Sequence, residues 1–228
     1  MAAEETFGDE VRHARRTAAI SALVAGGLFA VGSAIWGFEM PEGGASGAEL
    51  VSFYDENSSR IIVGGSLSLL AIAVFLLSAT AFRRVLIDAE GDDVLATTAL
   101  AGALLGVGSG IVAESVNMFG AIRAKDGELD AELARALFEV PQAMGTVATA
   151  VGFAVFSLSA AWVAGRSGRV FPRYDVVLFT ITGLVLLSPL AVLPAVPGAA
   201  LVFLASIVGV QLLREPRQWF EARRARSP

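Results

Sequence analysis

The sequence predicts an all-α fold: a polytopic membrane bundle of six transmembrane helices, with two short helices in its outer loops. Three observations carry that expectation. Of the 228 residues, 55% are hydrophobic and only 17% charged, where a soluble domain carries about a quarter charged residues. The apolar residues gather into runs long enough to cross a hydrocarbon layer of about 30 Å, which takes roughly 20 helical residues. The basic residues between those runs favour alternate loops, the signature of a fixed orientation.

Six runs qualify as spans: Thr17–Phe38, Ile61–Phe82, Val94–Ala113, Ala143–Ala164, Val176–Leu193 and Gly198–Leu213. The first exceeds a usual signal-peptide core in length and follows an acidic tail (Glu4, Glu5, Asp9, Glu10), so it reads as a retained span. The last two are short and separated only by Pro194-Ala195-Val196-Pro197, which predicts a tight hairpin. The chain thus divides into a cytoplasmic N-terminal tail (1–16), a six-span membrane domain (17–213) and an Arg-rich cytoplasmic C-terminal tail (214–228).

With both termini on one side, that side holds Arg12, Arg15, Arg16, Arg83, Arg84, Arg166, Arg169, Arg173, Arg214, Arg217, Arg223, Arg224 and Arg226. The other side holds Arg60, Arg123, Lys125 and Arg135. The richer side is the cytoplasm by the positive-inside rule. Trp36, Trp162 and Trp219 fall near span ends, where an amphipathic ring is best solvated. The outer loops are net acidic and no basic–aromatic patch is present, which argues against a nucleic-acid partner. Membrane lipid is the expected partner, with a second copy or another membrane protein as further candidates. The Arg214–Arg226 tail reads as a solvated anchor on anionic lipid.

Each long outer loop predicts a helix. Ser46-Gly47-Ala48-Glu49 has the form of a capping box, followed by Leu50, Phe53, Tyr54 and Asn57 at helical spacing. Asp126–Phe138 repeats the pattern with Leu129, Leu133, Leu137 and Phe138, and Pro141 predicts a kink or break before the fourth span. At an offset of 83 residues, Ala48-Glu49-Leu50 matches Ala131-Glu132-Leu133. Gly27, Gly37 and Arg83 likewise match Gly110, Gly120 and Arg166. An offset spanning two crossings would be a parallel duplication.

Small residues recur four apart at Ala22, Gly26, Ala30 and Ala34 in the first span and at Gly102, Gly106 and Gly110 in the third. Such stripes let backbones approach closely where water supplies no driving force. Packing within the chain is the first expectation, and contact with a second copy the alternative.

One polar constellation stands at the outer ends of the spans: Arg60, Glu114, Asn117, Glu139 and Gln142. It admits three readings. Glu114 could pair with Arg60, and Asn117 with Gln142, as helix glue. The group could instead line an outward-facing cleft for a solute or ion. A catalytic carboxylate is the third reading, weakened because no second acid, base or metal cluster accompanies Glu114.

The composition excludes further chemistry. With no cysteine there is no disulfide, thiolate nucleophile or iron–sulfur cluster, and His13 is the single histidine. No phosphate loop, dinucleotide fingerprint or zinc motif occurs, so neither a cofactor nor a metal is expected.

Phe53-Tyr54-Asp55-Glu56-Asn57 ahead of a span closing in Phe82-Arg83-Arg84-Val85-Leu86, with Ala134-Arg135-Ala136-Leu137-Phe138 and Phe171-Pro172-Arg173-Tyr174, carries a family likeness. Together these stretches resemble a family of uncharacterised six-span membrane proteins of actinobacteria, grouped as a domain of unknown function. The resemblance runs from about residue 20 to 213 and implies the six-span fold and a bacterial plasma membrane. It transfers no activity. The use of 16 Arg against one Lys fits a GC-rich genome. The expected role is non-catalytic binding or assembly in the membrane. A small-solute or ion transporter or channel subunit using the cluster around Glu114 is the alternative, and a membrane-embedded enzyme comes third.

Overall fold

The computed structural model describes residues 2–36, 40–41, 44–90, 93–167, 172–193 and 195–213, and every regular element among them is helical. The order is α1 (Ala2–Trp36), α2 (Gly47–Glu90), α3 (Val94–Lys125), α4 (Ala131–Ala143), a π segment (Met144–Ala148), α5 (Thr149–Ser167), α6 (Arg173–Leu186), a 3₁₀ turn (Pro189–Val192) and α7 (Ala195–Leu213). Five stretches are apolar and long enough to cross a membrane: Glu10–Ile35, Gly47–Ala89, Val94–Lys125, Ala131–Ser167 and Val196–Leu213. The fifth expected span falls on α6, whose 14 residues leave it outside that group.

Successive long helices run antiparallel. Ser78 Oγ on α2 donates to the Ala18 carbonyl on α1 at 2.8 Å, while at the other end Arg60 Nε donates to the Ile35 carbonyl at 3.0 Å. On α5, Ser157 Oγ reaches the Phe179 carbonyl of α6 at 2.6 Å. Gln211 Nε2 on α7 donates to Tyr174 Oη on α6 at 3.0 Å, so the end of α7 returns to the level where α6 began. Arg15 Nε then caps the Leu212 carbonyl at 3.2 Å, which brings the start of the chain and the end of α7 to one end of the bundle.

Four sequence expectations are revised. The outer-loop helix after Ser46 is not separate: it runs unbroken into the second span as α2. The Ser46–Glu49 capping box starts it, with Ser46 N donating to Glu49 Oε2 at 2.7 Å. No Gly or Pro interrupts residues 51–63, so nothing stops propagation. Of the kink or break expected at Pro141, no break occurs: α4 passes into α5 through a π segment that begins three residues after the proline. The first helix begins well before Thr17, because the N-terminal residues carry no helix breaker apart from Gly8. The tight hairpin joining the fifth and sixth spans becomes a 3₁₀ turn capped by Ser188, whose Oγ accepts from Leu190 N. Pro194 and the Arg-rich tail with Trp219 lie outside the described residues.

The helices enclose two cores. The larger is built from all the long elements, and a column of rings links α2 to α5: Phe75 edge-on to Phe153 and Phe156, then Phe82 tilted against Phe156. The smaller lies at the opposite end from the contact between Arg15 and Leu212, where the start of α2, the end of α3 and α4 bury Leu50, Phe53, Tyr54, Ile61, Ala121, Ala124, Ala134 and Phe138. We call this the cap. It exists because α2 and α3, at about 66 and 48 Å of helical rise, far exceed the membrane thickness. A left-handed Gly127 (φ +70°) turns the chain from α3 into α4. Gly127 N bonds to the Ala124 carbonyl and Glu128 N to the Arg123 carbonyl, satisfying the helix end.

The glycine stripes meet neighbours within the chain. A Cβ on Gly102 would lie 2.5 Å from Phe156 N and 2.7 Å from the Gly152 carbonyl, and one on Gly106 would lie 3.0 Å from the Phe153 ring. Gly152 faces them so closely that its own Cβ would fall on the Gly106 backbone. Gly110 turns instead toward Ile72 on α2. On α1, Ala22 is fully buried and Gly26 faces Ala205 on α7, while Ala30 and Ala34 are exposed. Gly152→Ala should therefore lower the melting temperature of the detergent-solubilised protein, the overpacking costing about 1–3 kcal/mol. Gly108→Ala is the control, since its Cβ meets nothing within 4 Å. Equal melting temperatures for the two variants would contradict the contact.

Candidate functional site

The five polar residues picked out from sequence do not form one group. They separate into a junction inside the bundle, a second in the cap, and two residues apart from both.

The inner junction centres on Glu114. Its side chain leans toward the start of α3, as helical side chains do, and so points down into the bundle. There it meets α2 at Gly65, where a Cβ would lie 3.4 Å from Glu114 Oε2. The polar neighbour is Ser68, fully buried one turn further along α2. The two groups interact across the junction, but not in the geometry of an ordinary hydrogen bond: neither Glu114 Oε2 nor Ser68 Oγ has a well-formed partner, and both atoms are shut away from solvent. Across from them α1 contributes Gly32, whose absent Cβ would sit 2.8 Å from the Gly64 carbonyl and 2.9 Å from Ser68 Oγ. Glycine at 32 and 65 lets the neighbouring helices close over these oxygens, since a Cβ at either position would crowd the junction.

Arg60 does not reach Glu114. Its guanidinium donates to the Ile35 carbonyl at 3.0 Å and to Asn57 Oδ1 at 3.3 Å. The helices are antiparallel, so a side chain leaning toward the start of α2 points outward while Glu114 points inward. Arg60 also lies five residues, about 7.5 Å of rise, beyond Gly65. It ties α2 to the last turn of α1 through that carbonyl.

The cap junction is built on Tyr54. Its hydroxyl donates to the Leu137 carbonyl at 3.1 Å and lies 3.3 Å from Asn117 Oδ1. Leu137 is four residues before Pro141, which has no N–H to return to that carbonyl. Tyr54 supplies the donor that the proline removed. Gly120 makes room for the ring: a Cβ there would lie 2.8 Å from Tyr54 Cε1. Asn117 thus joins Tyr54 and not Gln142, because Tyr54 occupies the space between α3 and α4. Gln142 is half-buried and engages through its carbonyl, which accepts from Thr146 Oγ1 at 2.5 Å. Glu139 is exposed on the far face of α4.

Tyr54 and Ser68 are the residues that sequence reasoning missed. Tyr54 was expected only as part of an apolar face. The spacing Leu137-x-x-x-Pro141 was the available signal, since it marks a carbonyl in need of a donor. Ser68 carried a weaker signal, a hydroxyl beside the Gly64-Gly65 pair in mid-span. No group of three His, Cys, Asp or Glu that could hold a metal ion occurs among the described residues.

No family model, no curated protein and no solved structure matches the chain.

Tyr54→Phe should destabilise the protein by about 1–3 kcal/mol, the cost of leaving a buried acceptor unsatisfied. Pro141→Ala returns an N–H to the Leu137 carbonyl, so Tyr54→Phe should cost less in that background. A double-mutant cycle on thermal unfolding measures the coupling. Strictly additive effects would disconnect Tyr54 from Pro141.

Proposed function

We propose that this chain is a multi-pass integral membrane protein with a non-catalytic binding or assembly role, crossing the membrane six times with both termini in the cytoplasm. One observation carries the membrane part. Along α2 the exposed side chains Val63, Leu70 and Leu77 recur every seven residues, and Arg60 and Arg84 bound the stripe at its two ends. Those arginines are about 36 Å apart along the helix, close to one hydrocarbon thickness. A long apolar stripe turned away from the core, with a cation at each end, is what a lipid-facing helix requires.

The crossing that brings the count to six, the fifth in chain order, is α6 together with its 3₁₀ extension. At 1.5 Å per residue over Arg173–Leu186 and about 2 Å over Pro189–Val192, the pair reaches about 29 Å. The hydrogen bond from Gln211 to Tyr174 supports a full return by α7. Orientation follows from the excess of arginine on the side of the termini, and the cap is then extracytoplasmic. A parallel duplication of α1–α2 as α3–α5 agrees with the contact between Tyr54 and Leu137, which are 83 residues apart. A bacterial plasma membrane is the location that the resemblance implies. Its partners are lipid and another membrane-protein surface, of this chain or a different one.

The non-catalytic part rests on composition: no cysteine and a lone histidine in the N-terminal tail. Tags inserted after Ser46 and Asp130 should be reached by an impermeant reagent from outside the cell. Tags at Ala2, Gly91, Ser167 and the C-terminus should not. A C-terminus reached from outside would remove the α6 crossing.

A further inference from the structure

We infer that the junction of α1, α2 and α3 is a binding site for one small monovalent cation, a proton or Na⁺, held between the Glu114 carboxylate and the Ser68 hydroxyl. The inference deepens the membrane-binding reading and rests on it.

The first ground is the state of the two oxygens. Ser66, Thr80, Ser109 and Ser206 each donate to the carbonyl four residues back, the usual way a hydroxyl is satisfied inside a membrane helix. Ser68 does not, although it is fully buried and Gly64 lies four residues before it. Its neighbour Glu114 Oε2 is also buried and without a partner. Two adjacent orphans, one of them a carboxylate oxygen, are costly to retain unless a ligand completes them.

The second ground is what faces the carboxylate. From α1 comes Gly32, within a run, Thr17 to Trp36, that has no ionisable side chain. From α2 come Gly65 and Ser68, and residues 61–82 carry no charge. The cations on either side are engaged elsewhere: Arg60 with Ile35 and Asn57, and Arg123 on α3 with Glu128. Glu139 on α4 is exposed. The protein therefore offers no described charge to neutralise Glu114.

The third ground selects the ligand. The site holds one carboxylate, so one positive charge balances it. A divalent ion would need more anionic ligands than this junction contains. With no Cβ at Gly32 or Gly65, the neighbouring helices close directly onto Ser68 Oγ, the Gly64 carbonyl and Glu114 Oε2, which puts the three oxygens in one tight junction. A proton needs two of these oxygens, and a dehydrated Na⁺ would use all three. Both sources share the same chemistry, neutralisation of a buried carboxylate.

The test is infrared difference spectroscopy of the full chain in lipid nanodiscs, following the carbonyl stretch of a protonated carboxyl group. If the ligand is a proton, wild type should show the band at neutral pH whether or not NaCl is added. The band should shift on transfer to D₂O and be lost in Glu114→Gln. If the ligand is Na⁺, the band should appear in choline buffer and be lost on adding NaCl but not choline chloride. Ser68→Ala removes only the hydroxyl and should shift the band in either case, which keeps the test decisive should Glu114→Gln fail to fold. Wild type without the band at neutral pH in choline buffer overturns the site, as does a band unmoved by D₂O or by Ser68→Ala. If the tags keep their orientation in the same preparation, such a result removes the cation site and leaves the membrane reading standing.

Discussion

The bundle depends on the close approach of α3 and α5 at Gly102, Gly106 and Gly152. Inside lipid there is no water to drive helices together, so their association rests on van der Waals contact between surfaces that can meet closely. Here the backbones themselves meet: a Cβ at Gly152 would fall on the backbone of Gly106. Much else follows from that contact. It brings Phe153 and Phe156 against Phe75 of α2, forming the aromatic column. It also commits one face of α3 to α5, so that Gly110 and Glu114 are left to face α2.

Further out the same helices leave the apolar stripe and pack by a different rule. The cap has a conventional aromatic core, Phe53 edge-on to Phe138, around a buried hydroxyl. Pro141 opens the backbone of α4 just where that helix passes into the bundle, and the π segment from Met144 follows at once. A freed carbonyl at that depth is tolerable only if another group donates to it. Tyr54 does so from α2, which fastens the cap to the bundle through three helices at one point. The glycine at 120 is part of the same device, because any side chain there would displace the ring.

How far the sequence discloses this differs from feature to feature. The apolar runs announce the helices, and the four-residue spacing of Gly102, Gly106 and Gly110 announces a packed face. They do not say which partner is met: Gly152 is a single glycine with no stripe of its own, and it becomes visible only in three dimensions. Helix ends were the poorest guide. Asp55, Glu56, Asn57, Ser58 and Ser59 separate the outer-loop helix from the span by their polarity, yet without Gly or Pro they carry α2 on unbroken. The polar constellation was legible as a list of residues and illegible as a site. Pairing Arg60 with Glu114 follows from charge alone, whereas their opposite lean on antiparallel helices sends them apart. The true neighbour of Glu114 is a serine, which no charge pattern reveals.

The account as a whole requires that α2 pass from water into lipid near Arg60, leaving the cap outside the bilayer and Glu114 just within it. The protein has no native cysteine, so single-cysteine spin labels can be placed on α2 without altering the background. Labels at the exposed positions 52, 56, 59, 63, 66, 70, 73, 77 and 80 would report collision rates with oxygen, which prefers lipid, and with a polar nickel chelate, which prefers water. The account expects the chelate to dominate through position 59, with the crossover between 59 and 66 and oxygen dominating from 66 to 80. Oxygen dominating already at positions 52 and 56 would place the cap in the membrane and contradict it.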